Sequence, residues 1–264
     1  MGIDWLDAAQ GGSTIGGGVG VFDQSPGIGG QPGLELRLGN DGIVNPTRNI
    51  AAHSVRIGAG VKAGDVFSVT PLVAGANSVY TPRSACGAGP ASPTKCAYVP
   101  LWPALPAFVP AGPPGANQQV GGTVSLAPGN YGDLVLKSKA VVVLGAGSYS
   151  FARIELGPNS KITYTSPSTV VRVAGRIETK NGSGFIQPGP GGAAHLRLYV
   201  SGADAAANKP AVDMFAGSTI AANVFVLNGT LSVGNKSILT GAFIARRLQL
   251  GSNVTVTKDS VFVQ

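Results

Sequence analysis

Apolar residues recur at every second position of this chain, in short runs that end on glycine or another turn residue. The run appears as LRLGNDGI from Leu36, VRIGAGV from Val55, IELGPNSKI from Ile154, LSVGNKSI from Leu231 and LQLGSNV from Leu248. Within each copy the apolar side chains alternate with Arg, Glu, Ser or Gln, the period of a strand with one buried face. The Gly, Asn or Ser that follows can enter the left-handed backbone region and turn the chain sharply. Strand, corner, strand is therefore the predicted local unit.

Spacing predicts how the strands assemble. The stretch LAPGNYGDLVLKSKAVVVLGAGSYSF, from Leu126, aligns on itself so that Leu126 matches Leu144, Tyr131 matches Tyr149 and Leu136 matches Ile154, all at one interval. The same interval separates Asn235 from Asn253 and Phe225 from Phe243, while Leu231 to Leu248 is one position shorter and Phe243 to Phe262 one longer. A hairpin meander gives no reason for equivalent side chains to return at one interval about three short strands long. A coil does: equivalent residues stack at about 4.8 Å and form ladders of like side chains. The expected fold is all-β, a single-stranded parallel β-helix (β-solenoid) of about 18 residues per coil. Residues 120–264 would make about eight coils, roughly 35–40 Å of stack.

Four segments follow. Residues 1–33 form an N-terminal cap and Gly-rich segment, 34–75 the first solenoid coils, 76–119 a disulfide loop and Pro-rich strap, and 120–264 the main solenoid. In the first, IDWLDAA reads either as a short helical lid or as a frayed terminus, and the glycine-rich run after it as a turn-dense coil or a linker. In the third, YVPLWPALPAFVPAGPPGANQQ holds the backbone extended and lacks the amides a central strand needs. With Leu101, Trp102, Leu105 and Phe108 interspersed, it is expected to pack along the outside of the solenoid. Solenoid ends expose unpaired edges, and Trp5, Leu6, Val261, Phe262 and Val263 are the expected assembly ends.

Composition narrows the partners. The chain has 264 residues, 44% hydrophobic and 12% charged, enough for a sizeable core, and its 40 Gly and 19 Pro leave little room for helices. The charge of +7 favours anionic partners such as acidic glycans or a cell envelope, but the longest basic run is Arg246–Arg247, so no nucleic-acid interface is expected. Cys86 and Cys96 bracket GAGPASPTK, a loop whose closure by a disulfide stabilises by roughly 2–3 kcal/mol in an oxidising compartment. A pair of reduced thiols is the alternative. The start MGIDWLDAAQ lacks the features of a signal peptide, and no stretch approaches the roughly 18 apolar residues that span a bilayer. An extracellular or cell-surface location is expected.

The stretches LAPGNYGDLVL, GAGSYSFARIEL, VRVAGRI, LRLYVSGAD, ANVFVLNGTLSVG and TGAFIARRLQLGSNVTVTKDSVF resemble a family of bacterial surface or secreted proteins, common in myxobacteria and in places attached to pilus-assembly-like N-termini. The resemblance runs from about residue 43 to the end and implies a right-handed parallel β-helix with no enzymatic activity. A second resemblance, over about half the chain, is to bacterial ice-binding β-solenoids, which share the L-x-P-G-x-Y strand entry. That family carries a long helix beside its solenoid, which nothing in this sequence predicts.

Candidate chemistry is sparse. Beyond residue 120 the acids are Asp133, Glu155, Glu178, Asp204, Asp213 and Asp259. Asp133 and Glu155 lie one coil plus four positions apart and need not share a face, whereas a hydrolytic pair needs two carboxylates within about 5–10 Å. His53 and His195 sit in strand-like runs without a nucleophile elbow. No catalytic, metal or cofactor site is expected. One interval before Thr255 and Thr257 stand Ser237 and Leu239, so no threonine plane of the kind that orders water to ice is expected. The first expectation is a non-catalytic structural or adhesive protein, associating with itself end to end as a filament subunit. The alternatives are a glycan-binding module using Tyr149, Tyr164 and Tyr199, a polysaccharide-active β-helix, and an ice-binding protein.

Overall fold

The computed structural model describes residues 5–8, 14–15, 19–20, 35–38, 43–44, 50–52, 54–68, 72–84, 108, 110–166, 168–187, 196–206 and 209–258. These residues form strands and turns with no helix, and the strands pair in parallel from coil to coil as a β-solenoid.

Each coil contributes to three faces. Face 1 begins with Gln118–Val120, Asp133–Leu136, Arg153–Leu156, Ile177–Thr179 and Val212–Met214, and continues through the second halves of Asn223–Val233 and Phe243–Leu250. Face 2 stacks Thr123–Leu126, Val141–Leu144, Lys161–Tyr164, Gly184–Ile186, Thr219–Ala221, Ile238–Gly241 and Thr255–Lys258. Face 3 stacks Gly129–Asn130, Gly147–Phe151, Thr169–Val173, Leu196–Ala203 and the first halves of the two long strands.

Alternation sends every second side chain inward, where columns form. Leu134, Ile154, Ile177, Val212 and Leu231 are fully buried on face 1, and Val142, Ile162, Phe185, Ile220 and Leu239 on face 2. Burial of such aliphatic side chains, at about 1.5–3 kcal/mol each, is what the repeat encodes. The corner between faces 1 and 2 is built by a second column. Lys139, Asn159, Gly182, Gly217, Lys236 and Asn253 all have left-handed φ between 57° and 71°. Where serine follows, its hydroxyl donates to the carbonyl three positions back, as in Ser160 to Gly157 (2.8 Å), Ser218 to Phe215 (2.6 Å) and Ser237 to Gly234 (2.8 Å). Glycine is required where coils approach closely: a Cβ at Gly184 would collide with the Thr219 carbonyl oxygen.

The repeat is real, but its length is not constant. The successive face 1 partners Gln118, Leu134, Ile154, Ile177, Val212, Leu231 and Leu248 are unevenly spaced, with the longest step from Ile177 to Val212 and the shortest from Gln118 to Leu134. Corners and loops absorb the differences while strand register is kept. Leu126 does stack on Leu144 and Leu231 on Leu248. Tyr149, however, pairs with Gly129, and Leu136 with Leu156. Tyr131 stacks instead on Phe151, with ring centroids 5.3 Å apart.

The order of the coils differs from the order of the chain. Trp5–Ala8 lies between Phe243–Leu250 and Glu35–Leu38, pairing Leu6 with both Leu248 and Leu36. Likewise Thr14 pairs with Thr255 below and Ile43 above. The stack therefore climbs from residue 118 to 258, continues with the strands of residues 5–20, and ends with Val73–Ala74 and Val79–Ser84. The expected N-terminal cap is thus a strand inside the stack. Trp5 and Leu6, expected at an assembly end, belong to a strand with a paired neighbour on each side. Val261, Phe262 and Val263 lie outside the described residues, as do Cys86 and Cys96.

The strap is seen from Phe108 onward, on the outside of face 3. Phe108 meets Tyr199 and Phe225 edge-on, at centroid distances of 5.7 and 5.4 Å. Further along, the Gly112 amide donates to Ser150 Oγ (3.1 Å), the Gly132 amide to the Ala116 carbonyl (2.9 Å) and the Asp133 amide to Asn117 Oδ1 (2.8 Å). Among the described residues, no helix is long and apolar enough to cross a membrane.

Candidate functional site

The three outer surfaces differ in chemistry, because the inward positions of every strand are committed to the core and only the outward ones vary. The described part of the strap lies against face 3 at Ser150, Tyr199 and Phe225. Face 1 collects the charges and face 2 holds few.

On face 1 the outward positions place Glu155, Glu178 and Asp213 in one column, on successive coils. Asp133 stands beside Arg153 in the neighbouring column. The two carboxylates that need not share a face, Asp133 and Glu155, therefore do share one, because the coil from Asp133 to Arg153 is longer than the sequence interval suggests. Arg153 bridges them, at 3.4 Å to each. Glu178 accepts from Lys180 Nζ at 2.5 Å, which holds its carboxyl below the usual range and the lysine above its own. Asp213 is pushed up, first by burial and then by the charge of Glu178. Stacked like charges repel at the coil spacing of about 4.8 Å. The interleaved Arg153, Arg176 and Lys180 offset that repulsion, so the arrangement reads as an ion-pair ladder on a flat sheet. Among the described residues, no cluster of His, Cys, Asp and Glu could hold a metal ion. Asp204 is engaged in structure: its Oδ1 accepts from the amides of Ala211 (2.9 Å) and Thr230 (2.7 Å), and its Oδ2 from the Thr230 hydroxyl (2.7 Å). His53, His195 and Asp259 lie outside the described residues.

On face 2 one outward column runs Thr123, Val141, Lys161, Gly184, Thr219, Ile238, Thr255, Thr14, Ile43, Lys62 and Val79. The second runs Ser125, Val143, Thr163 and Ile186 in its lower part and Ala221, Thr240 and Thr257 in its upper part. Hydroxyls, methyls and small side chains dominate, and no acid occurs in either column between Thr123 and Thr257; at the upper end Asp65 pairs with Thr81, two positions beyond Val79. Ile238 is 52% exposed, Ile43 41% and Val79 64%, all in the first column. Neighbours repeat at about 4.8 Å between coils and about 6.7 Å along a strand. The result is a flat two-dimensional array of threonine hydroxyls and aliphatic groups.

A fixed period along the chain misses this array by a single position. Counting back one interval from Thr257 reaches Leu239, but the local coil is one position shorter and the partner is Thr240. Thr255 has Thr14 above it, a neighbour that no fixed period could supply.

The three tyrosines expected to contact glycans are not at the surface. Tyr149 and Tyr164 are fully buried in the core, and Tyr199 is 5% exposed beneath Phe108. Two of the phenols find partners inside: Tyr149 Oη accepts from the Gly145 amide (3.0 Å) and donates to the Leu126 carbonyl (3.3 Å), and Tyr164 donates to the Ala221 carbonyl. Burial raises the Tyr149 phenol above its usual range.

Compared with known proteins, the chain matches no family model, no curated protein and no solved structure.

Proposed function

We propose that the protein is a non-catalytic adhesive solenoid that adsorbs through face 2 to a flat, ordered, uncharged surface, with ice as the first surface to test. The observation that carries this reading is the segregation of charge. The acids of the strands between Gln118 and Lys258 lie on face 1, whereas over the same strands the two outward columns of face 2 hold Lys161 as their one charged residue, among threonine, serine and aliphatic ones. A flat plane of methyls and hydroxyls gains contact with a lattice without desolvating charges, which is expensive. The resemblance of LAPGNYGDLVL to ice-binding solenoids agrees with it. The spacing of Cys86 and Cys96 supports a place outside the cell, at the cell surface or secreted.

Partition into growing polycrystalline ice, alongside pull-down on crystalline cellulose and chitin, tests the proposal. Adsorption to one of these surfaces, abolished by T240R combined with T257R and kept by E155Q on face 1, is expected. Failure of the wild-type protein to adsorb to all three, or equal loss from the face 1 variant, refutes it.

A further inference from the structure

We infer that the two ends of the stack are complementary, so that copies of this chain join head to tail with the upper edge of one on the lower edge of the next. The lower end is the coil containing Gln118–Val120 and Thr123–Leu126, whose strands pair on one side only among the described residues. Val124 stands in the inward column of face 2 and is 40% exposed, whereas Val142, Ile162, Phe185, Ile220 and Leu239 above it are fully buried. It has the position of a core residue and, among the described residues, no coil beneath it. At the upper end, Val73–Ala74 and Val79–Ser84 likewise pair on one side only among the described residues. Ala74 is exposed although it continues the inward column of Ile57, itself 3% exposed.

A second copy fits because the column positions agree on two faces at once. Ala74 stands in the face 1 column that begins at Val120. Val79 stands in the face 2 column that begins at Thr123. One displacement along the stack axis therefore sets Ala74 on Val120 and Val79 on Thr123, with strands parallel as everywhere else in the fold. The lower corner between these strands is Gly121–Gly122, which carries no side chain to obstruct the approach. The Val141 amide reaches down to the Gly122 carbonyl at 2.9 Å. By the same geometry the Thr123 amide points off the lower edge, where a second copy supplies the acceptor. Such a contact is heterologous and does not close on itself. It also lengthens face 2 as one plane, although the inference stands independently of what face 2 binds.

Blocking each edge separately tests this. V124K places a charge on the lower edge and A74K one on the upper edge. T123P, which removes an amide pointing off the lower edge at a position with no ladder partner below among the described residues, is a second lower-edge variant should V124K misfold. Sedimentation velocity and negative-stain imaging of the wild-type chain are expected to show rods that lengthen with concentration. Each blocked variant is expected to stay a monomer with an unchanged far-UV spectrum. An equimolar mixture of V124K and A74K joins one intact upper edge to one intact lower edge and is expected to stop at a 1:1 dimer. Monomeric wild-type protein at high concentration, dimers of A74K alone, or no dimer in the mixture would each overturn the inference.

Discussion

Replacing Leu144 by alanine probes the columns directly. Leu144 is fully buried, with Leu126 below it and Tyr164 above it in the same inward column. Truncation removes three carbons and leaves a cavity, a change that costs about 2.7–5 kcal/mol in well-packed cores. In this fold the coils above and below are held at about 4.8 Å by backbone hydrogen bonds. The cavity cannot collapse along the axis, so a loss in the middle of that range, about 4 kcal/mol, is expected. Two neighbours serve as internal standards. Leu126, the same residue type one coil lower, is only half-buried, and L126A should cost about half as much, about 2 kcal/mol. Val143, adjacent in sequence but pointing outward and half-buried, should lose less than about 1 kcal/mol on truncation. Guanidinium unfolding followed by far-UV circular dichroism, in dilute protein, gives the three values from the midpoints at a common slope. The order L144A, L126A, V143A is required. A V143A variant as damaged as L144A would mean that the inward and outward assignment is wrong.

Three further outcomes follow from particular contacts. In E178Q, the Asp213 carboxyl should titrate lower than in the wild type, because the neighbouring charge is lost while the burial that raises it remains; carbon-13 carboxyl shifts report this, and an unchanged or higher value contradicts the stacked ladder. For stability against pH the two acids act oppositely: the Glu178–Lys180 contribution is present above the ordinary carboxylate range and fades as Glu178 protonates, whereas protonation of Asp213 relieves a repulsion. The pair Asp7 and Gln249, register partners across the junction between the N-terminal strand and the last coils, should form a disulfide as D7C/Q249C with Cys86 and Cys96 replaced by serine, read as a faster-migrating monomer on non-reducing gels; slow or purely intermolecular cross-linking contradicts the coil order. Finally, F108A removes both edge-on ring contacts to Tyr199 and Phe225, so proteolysis within the proline-rich segment should accelerate while the solenoid resists, and unchanged cleavage would show that Phe108 does not hold the strap.

Much of the fold was legible because alternation and corner chemistry are local. The runs at Leu36, Ile154, Leu231 and Leu248 fall on face 1 strands, and the Asn, Lys and Gly residues of the turns occupy left-handed corners. A register error of two positions, as between Tyr131 and Tyr149, keeps the inside in and the outside out, so the architecture survived it. An error of one position does not. Phe225 and Phe243 looked like one ladder, but Phe225 pairs with Ile244 and Phe243 with Val224, which puts Phe225 outward, under the strap. The long coil between Ile177 and Val212 breaks any fixed period. The docking of Trp5–Ala8 on Arg247–Leu250, at the far end of the chain, leaves no trace in neighbouring residues. The threonine array of face 2 depends on that docking through Thr14 and Thr255, and so could not be read from the chain. The tyrosines misled for a different reason: an amphipathic ring suits a surface, but a phenol that meets a backbone carbonyl inside the coil suits the core as well.

Methyl-to-methyl nuclear Overhauser contacts measure most directly which side chains stack across coils, the property on which the solenoid and its faces depend. Cross-peaks are predicted between the methyls of Leu126 and Leu144 and of Leu231 and Leu248, and backbone Hα-to-amide cross-peaks between the strand of Leu6 and those of both Leu248 and Leu36. Leu6 contacts confined to residues near it in sequence, or Leu144 without Leu126, would contradict the continuous parallel stack and the plane of threonines built on it.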